Sequence, residues 1–159
     1  YGSNPVLAQK NDSVDKVTKF QEFNDKNGGD WNVRWSGKTN SPRMLYGGKS
    51  KKYNGAPHAV ARQFIQENKR LLLEEKSIEN LHHIKTLDDS DYTIVFLQQR
   101  YKNLNVEAAL YKVAVTEDNK VEHLAGTFYA DIDLLNVPTI DESYAIEIVL
   151  EDLGLSDSD

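Results

Sequence analysis

Histidines are the side chains best suited to hold a metal ion or to move protons in this chain, which contains four of them. His82 and His83 are neighbours in a predicted strand, so their side chains point to opposite faces and cannot readily share one ion. His58 falls in the first turn of a predicted helix, and His123 is isolated in a predicted hairpin. The sequence has no cysteine and no H-E-x-x-H motif. We therefore expect no metal site and no cofactor.

Acidic pairs and a glycine pair are the other candidates for chemistry. Glu74-Glu75 and Asp88-Asp89 lie in predicted turns, which favours solvated charges over paired catalytic carboxylates. Gly47-Gly48 is not followed by the G-K-[ST] of a phosphate-binding loop, and no G-x-S-x-G motif is present. These patterns predict that this part of the protein is not an enzyme.

Composition and charge restrict the classes of partner. The 159 residues suffice for one domain with small appendages, and the net charge of −6 argues against a nucleic-acid partner. The basic cluster at Lys49–Lys52 is short and lies among glycines, which indicates a solvated loop. No apolar run approaches the ~18 residues of a membrane-spanning helix. No signal peptide is visible, and the opening Tyr1-Gly2-Ser3 is consistent with a vector remnant.

The stretch Gly55–Leu72 organises the expected fold. Pro57 suits a first helical turn, and apolar residues then recur at three- and four-residue steps, forming a wide stripe of Val60, Ala61, Phe64, Ile65, Leu71 and Leu72. We expect one helix over Pro57–Leu72 with this stripe in the core.

The remaining elements are predicted from periodicity and turn residues. A helix capped by Asp12 or Ser13 is expected from Val14 to about Asn27, with a stop at Gly28-Gly29. The alternation Trp31–Trp35 predicts a strand with both tryptophans directed to the core, although an exposed aromatic platform remains an alternative. Residues 36–55 read as a connector with a brief strand at Arg43–Tyr46, a lid being the alternative.

The second half reads as strands followed by a helix. Strands are expected at Leu81–Leu87, Tyr92–Gln99, Val106–Thr116 and Lys120–Asp133, with the second one central and covered on both faces. The last two form a hairpin, and Gly126 suggests a bulge or bend. After Pro138, a helix capped by Thr139 or Asp141 should end at Gly154, and Ser156–Asp159 should be unstructured. The expected fold is α+β: an antiparallel sheet of about four strands curled round one long helix, with an N-terminal helix-strand extension.

The order of these features resembles the fungalysin/thermolysin propeptide domain. That family's pattern is a helix of the form A-x-x-F-L-x-x-N, then a strand ending in Gln and an aromatic residue, then a G-[IL]-P-V turn and a hairpin. The matching residues here are Ala61, Phe64, Ile65 and Asn68 in the helix, and Gln99, Tyr101, Leu104 and Val106 after it. Asn103 and Asn105 replace the family's Gly and Pro, and Glu107 stands where a bulky residue is common. Asn can adopt the left-handed conformation, so the turn can survive the change.

Flanking segments extend the resemblance over most of the chain. The stretch from Phe20 to Gly47 is similar to the segment before this domain in some bacterial secreted peptidase precursors. The final helix, with Ala145 and Leu153-Gly154, resembles the opening of a second propeptide module of the PepSY type. The implied domains are residues 1–54 as an N-terminal extension, 55–137 as the propeptide domain and 138–159 as the start of a truncated second module.

The resemblance implies a non-catalytic propeptide region of a secreted zinc metallopeptidase, acting as intramolecular chaperone and inhibitor. The implied partner is the catalytic domain of the same zymogen, and the implied location is secreted or cell-surface. The implied partner-contact residues are Gln99, Tyr101, Asn103, Leu104 and Val106. The alternative is a free-standing cystatin-like module that binds proteins on a secreted or surface protein.

Overall fold

The structure, a computed structural model, describes residues 5–135 and 137–155 of the chain, apart from the side chains of residues 5–13. Its helices are α1 (Pro5–Lys26), α2 (Pro57–Glu67), α3 (Lys69–Leu72) and α4 (Glu142–Leu153), with a 3-10 turn at Ile78–Asn80. Its strands are β1 (Asn32–Trp35), β2 (Pro42–Tyr46), β3 (Leu81–Asp88), β4 (Thr93–Tyr101), β5 (Leu104–Val115) and β6 (Val121–Gly126). The α+β class is thus confirmed. Expectations about Tyr1-Gly2-Ser3 and Ser156–Asp159 lie outside the described residues.

One antiparallel sheet of six strands, in the order β1-β2-β6-β5-β4-β3, forms the body. The expectation of about four strands was too low, because β1 and β2 join the sheet through the pairing of Leu45 with Leu124. The described part of residues 1–54 therefore shares one hydrophobic core with α2 and the strands β3 to β6. The division of the chain at residues 54 and 137 stays a prediction.

The expected single helix over Pro57–Leu72 was wrong in its continuity, because Asn68 separates α2 from α3. The buried Asn68 side chain donates from Nδ2 to the Phe64 carbonyl (2.8 Å) and accepts from Nδ2 of Asn27 (3.0 Å). Asn27 also donates to the Phe23 carbonyl at the end of α1 (2.8 Å). The Asn68 side chain therefore bonds to Asn27, directly after α1, at the point where the regular helix is interrupted.

The apolar stripe of this segment does lie in the core, as expected. Phe64 is fully buried, and its ring contacts those of Phe23, Trp31 and Tyr53 with centroids 6.0, 5.9 and 6.4 Å away. Trp31 donates from its indole nitrogen to the Asn27 carbonyl (3.0 Å), while Trp35 is half-buried against the same core. Trp31 therefore serves the core and is no exposed platform.

The long connection between β2 and α2 runs along β6 and is bonded to it at Ser50. Ser50 donates its backbone N–H to Val121 (2.9 Å) and receives the Val121 N–H on its hydroxyl (2.8 Å). Gly48 passes so close to Trp31 that a Cβ there would lie 2.5 Å from the indole ring. The contact requires glycine and fixes the chain against the tryptophan.

The main differences from expectation are the start of α1, the end of β6 and the position of β4 in the sheet. Helix α1 already includes Pro5, so the expected cap at Asp12 or Ser13 lies inside the helix. The residues before this cap include the good helix formers Leu7, Ala8, Gln9 and Lys10. Strand β4 lies next to the edge strand β3, so it is interior but not central. Strand β6 ends at Gly126 and not at Asp133. Gly126 has φ +148°, and a Cβ there would lie 1.9 Å from the Leu110 carbonyl oxygen, so the chain bends out of the sheet at a position that only glycine can take.

Candidate functional site

The turn between β4 and β5 positions the first wall of a surface groove. Lys102 and Asn103 both have positive φ, 46° and 68°, which is the backbone of a tight two-residue hairpin turn. Arg100 donates from Nη2 to the Asn103 carbonyl (2.7 Å) and so braces the turn. Asn103 thus adopts the left-handed conformation that its side chain tolerates, and Tyr101 and Leu104 are placed on either side of it.

A bulge in β5 shapes the same wall. The register skips from the pair Gln98–Leu110 to the pair Arg100–Asn105, so residues 106–109 loop out, with Ala108 at φ 57°. Gln98 supports this loop, because its Nε2 donates to the carbonyls of Val106 (2.8 Å) and Ala109 (3.0 Å). The bulge turns Val106 towards the groove.

The buried amide of Gln99 holds the second wall in place. Its Nε2 donates to the Tyr129 carbonyl (2.7 Å), and its Oε1 accepts the Tyr129 N–H (2.9 Å). Beyond Tyr129, Lys102 donates from Nζ to the Leu134 carbonyl (3.0 Å). The side chains of Gln99 and Lys102 thus hold the segment that follows β6 across the end of the β4–β5 hairpin.

The groove between these walls has a volume of about 410 Å³ and is mainly apolar. Leu104 is 57% exposed and Leu134 is 67% exposed, so apolar side chains reach solvent on both sides. The lining residues are Tyr101, Leu104, Asn105, Val106, Glu107, Tyr129, Ile132, Leu134 and Leu135. Exposed apolar residues that converge on one groove are typical of a surface that binds another protein.

The structure brings three of the five expected contact residues into this groove. Tyr101, Leu104 and Val106 line it, whereas Gln99 is buried beneath it and Asn103 forms the turn beside it. Sequence reasoning missed the second wall, because residues 127–133 were taken as the end of a strand. The apolar pair Leu134-Leu135 shortly before Pro138 is the signal that could have shown it.

The histidines lie outside this groove. His58 and His83 stack with ring centroids 5.1 Å apart, a contact that sequence reasoning did not foresee. His123 stands apart, and burial lowers the pKa of its imidazole. Among the described residues, no group of three or more histidine, aspartate and glutamate side chains could hold a metal ion.

Glu74 and Glu75 occupy a turn with φ 48° and 66°. Burial raises the pKa of the Glu74 carboxyl. Nearby, the Tyr111 hydroxyl donates to the Leu72 carbonyl (2.7 Å), and full burial raises its pKa. The phenol fixes the end of α3 to the sheet, which is a structural contact.

Comparisons with known proteins do not show a family for this chain. No family model and no curated protein matches the chain. Among solved structures, it is similar to the Bacillus megaterium YpeB C-terminal domain, with 14% identity, a TM-score of 0.45, and coverage of 83% of this chain and 71% of that one. A likeness this distant carries no conclusion about function. Within the described part of the chain, no helix has the length and apolar character needed to cross a membrane.

Proposed function

We propose that residues 55–137 are a non-catalytic propeptide domain of cystatin-like shape, belonging to a secreted or cell-surface zinc metallopeptidase precursor. Its role is that of an intramolecular chaperone and inhibitor of the peptidase domain. Helix α4 begins a second module of the PepSY type in this proposal. The observation that carries it is the convergence of Tyr101, Leu104 and Val106, which carry the family resemblance, on one apolar groove.

The groove is suited to a protein and not to a small polar substrate. Its walls are mostly aliphatic and aromatic side chains, with Glu107 as the charged member. Binding hot spots on proteins are apolar or aromatic anchors that fit such concave, desolvated surfaces. An apolar side chain of the peptidase domain is therefore the expected occupant.

Chaperone and inhibitor action can follow from one set of contacts. Contacts that form in the folding transition state of the peptidase domain speed its folding, and contacts beside its cleft exclude substrate. In the precursor the two domains share one chain, which can supply an effective concentration of ~1 mM. A weak contact at the groove is then sufficient to inhibit the peptidase in the precursor. After cleavage the effective concentration is lost, and the same contact inhibits less.

The test is to mix the purified chain with the mature peptidase of its own precursor and to measure inhibition and refolding yield at low ionic strength. Leu104→Asp should weaken inhibition by about tenfold or more, because it places a charge in the apolar groove. The matched control is Val17→Asp, since Val17 is 65% exposed on α1 and lies outside the groove.

Equal inhibition by the two variants would remove the groove from the proposal. Absence of inhibition and of improved refolding with a folded wild-type chain, at concentrations up to ~1 mM, would favour the free-standing protein-binding module.

A further inference from the structure

The face of the sheet that points away from α2 carries one continuous row of apolar and basic residues. The strand registers place six residues directly opposite one another across the sheet. From β3 to β1 they are Lys85, Phe96, Lys112, Ala125, Met44 and Arg34. Residues opposite one another on adjacent strands share a face, so this row runs across the whole sheet. We call this surface the outer face.

The rows on either side are also free of acidic residues. One row consists of Leu87, Ile94, Ala114 and His123, and the other of His82, Gln98 and Leu110. Glu122, adjacent to His123 in the chain, is paired with Lys49. Asp30 and Glu122 line a pocket together with Ala114 and His123, so acidic residues border the outer face at this end. The positive charge of the face lies in the row that contains Lys85, Lys112 and Arg34.

Two of the three basic groups of the row lie against the aromatic ring between them. Nζ of Lys85 lies 4.5 Å and Nζ of Lys112 lies 5.6 Å from the Phe96 ring centroid. Their aliphatic stems leave Phe96 only 8% exposed. Cations fixed in this way lose less conformational freedom on binding than free lysines do.

The helices leave this face uncovered within the described residues. The side chains of α2 pack in the core with Val95, Leu97 and Val113, which point to the opposite face of the sheet. Gln98 of the outer face donates to the carbonyls of the β5 bulge, and Val106 of that bulge lines the groove, so the outer face adjoins the groove at the bulge.

We propose that the outer face is part of the docking surface and that it binds an acidic, partly apolar surface of the peptidase domain. This inference rests on the proposed function and deepens it. It reverses the conclusion that the net charge alone would suggest, which is a basic partner. Complementary charge at an interface acts mainly on the rate of association and on its salt dependence.

The experiment compares two double charge reversals that change the net charge equally. Lys85→Glu with Lys112→Glu alters the outer face, whereas Lys38→Glu with Lys52→Glu alters two exposed loop residues outside it. Association with the mature peptidase is measured by stopped flow at several salt concentrations, with circular dichroism to confirm folding. The outer-face variant should associate about tenfold or more slowly and lose most of the salt dependence, and the loop variant should remain within about threefold of wild type.

The outcomes separate this inference from the proposed function. Wild-type inhibition with equal rates for both variants overturns the inference and leaves the groove proposal standing. No binding by the folded wild-type chain overturns both. Sedimentation of the chain alone provides a third outcome: a dimer that only the outer-face variant abolishes would make this face a contact between copies and overturn the peptidase assignment.

Discussion

Helices α2 and α4 are of similar length and amphipathic, yet they differ in how they are stabilised. Helix α2 has no side-chain cap but buries Val60, Ala61, Phe64 and Ile65 completely. Helix α4 has the stronger local signals, with Asp141 accepting the Tyr144 N–H (2.9 Å) and Gly154 closing its end at φ 66°. It buries none of its residues, and Ile146, Val149 and Leu153 are 50%, 55% and 63% exposed. The contrast shows that periodicity and caps predict a helix, whereas only the rest of the fold determines what its apolar side contacts.

The largest expected effect is on the buried helix. Phe64→Ala removes a fully buried ring that contacts three other aromatic rings, and we expect a loss of about 3–5 kcal/mol in the free energy of unfolding. Urea denaturation measures it, with Ile148→Ala on α4 as the control, since Ile148 is 44% exposed. A similar, small loss of unfolding free energy in both variants would show that α2 is not more strongly held by the core than α4.

The amide pair that joins α1 to the break between α2 and α3 should give a smaller effect. Asn68→Ala leaves the buried Nδ2 of Asn27 without its Asn68 acceptor, so we expect a loss of about 1–3 kcal/mol. A double-mutant cycle with Asn27→Ala isolates the coupling between the two amides. Strictly additive losses would mean that the break at Asn68 does not depend on α1.

Removing the cap of α4 should change that helix alone. Asp141→Ala costs about 0.5–2 kcal/mol of helix stability, because the Tyr144 N–H loses its acceptor. Amide hydrogen exchange should then become faster within Glu142–Leu153 and stay unchanged in β4 and β5. An equal increase in the sheet would indicate that α4 is coupled to the core.

The smallest effect is electrostatic and lies at the turn between β5 and β6. Hydrogen bonds from Lys120 and Thr116 lower the pKa of the Asp118 carboxyl to about 2. A carboxyl with a lowered pKa in the folded state stabilises the fold above its unfolded pKa of about 4, and this contribution disappears as the pH falls towards 2. NMR titration should show the low midpoint in the wild type and a rise towards the ordinary value in Lys120→Ala. Amide hydrogen exchange in α2 and α4 should be the same in Lys120→Ala as in the wild type, so this variant serves as a reference for the comparison of the two helices.

The sequence was most informative where local rules decide the outcome. The strands 32–35 and 81–88, the hairpin of β5 and β6, and both ends of α4 follow from alternation, turn residues and caps. The break at Asn68 could not be predicted from local sequence, because Asn68 bonds to the amide of Asn27, which follows α1 and lies 41 positions away. The pairing of β2 with β6 is equally non-local.

The candidate site was predictable in part for the same reason. Tyr101, Leu104 and Val106 lie near a hairpin turn that the sequence indicates, so their neighbourhood was foreseeable. The wall from Tyr129 to Leu135 depends on Gln99, whose side chain bonds a backbone 30 positions later. The row of basic residues on the outer face requires the registers of five strand pairs, which no local pattern contains.

The pairing of β2 with β6 also has a consequence for the order of assembly. Strands β3 to β6 follow one another as neighbours, but β2 must wait for a partner that lies beyond residue 120. Closing so long a loop costs more chain entropy than closing a hairpin, and contacts of high sequence separation form slowly. On a ribosome, the first two strands emerge long before the strand that completes them. We therefore expect β1 and β2 to dock last, so that the fluorescence of Trp31 and Trp35 reports the final step of folding.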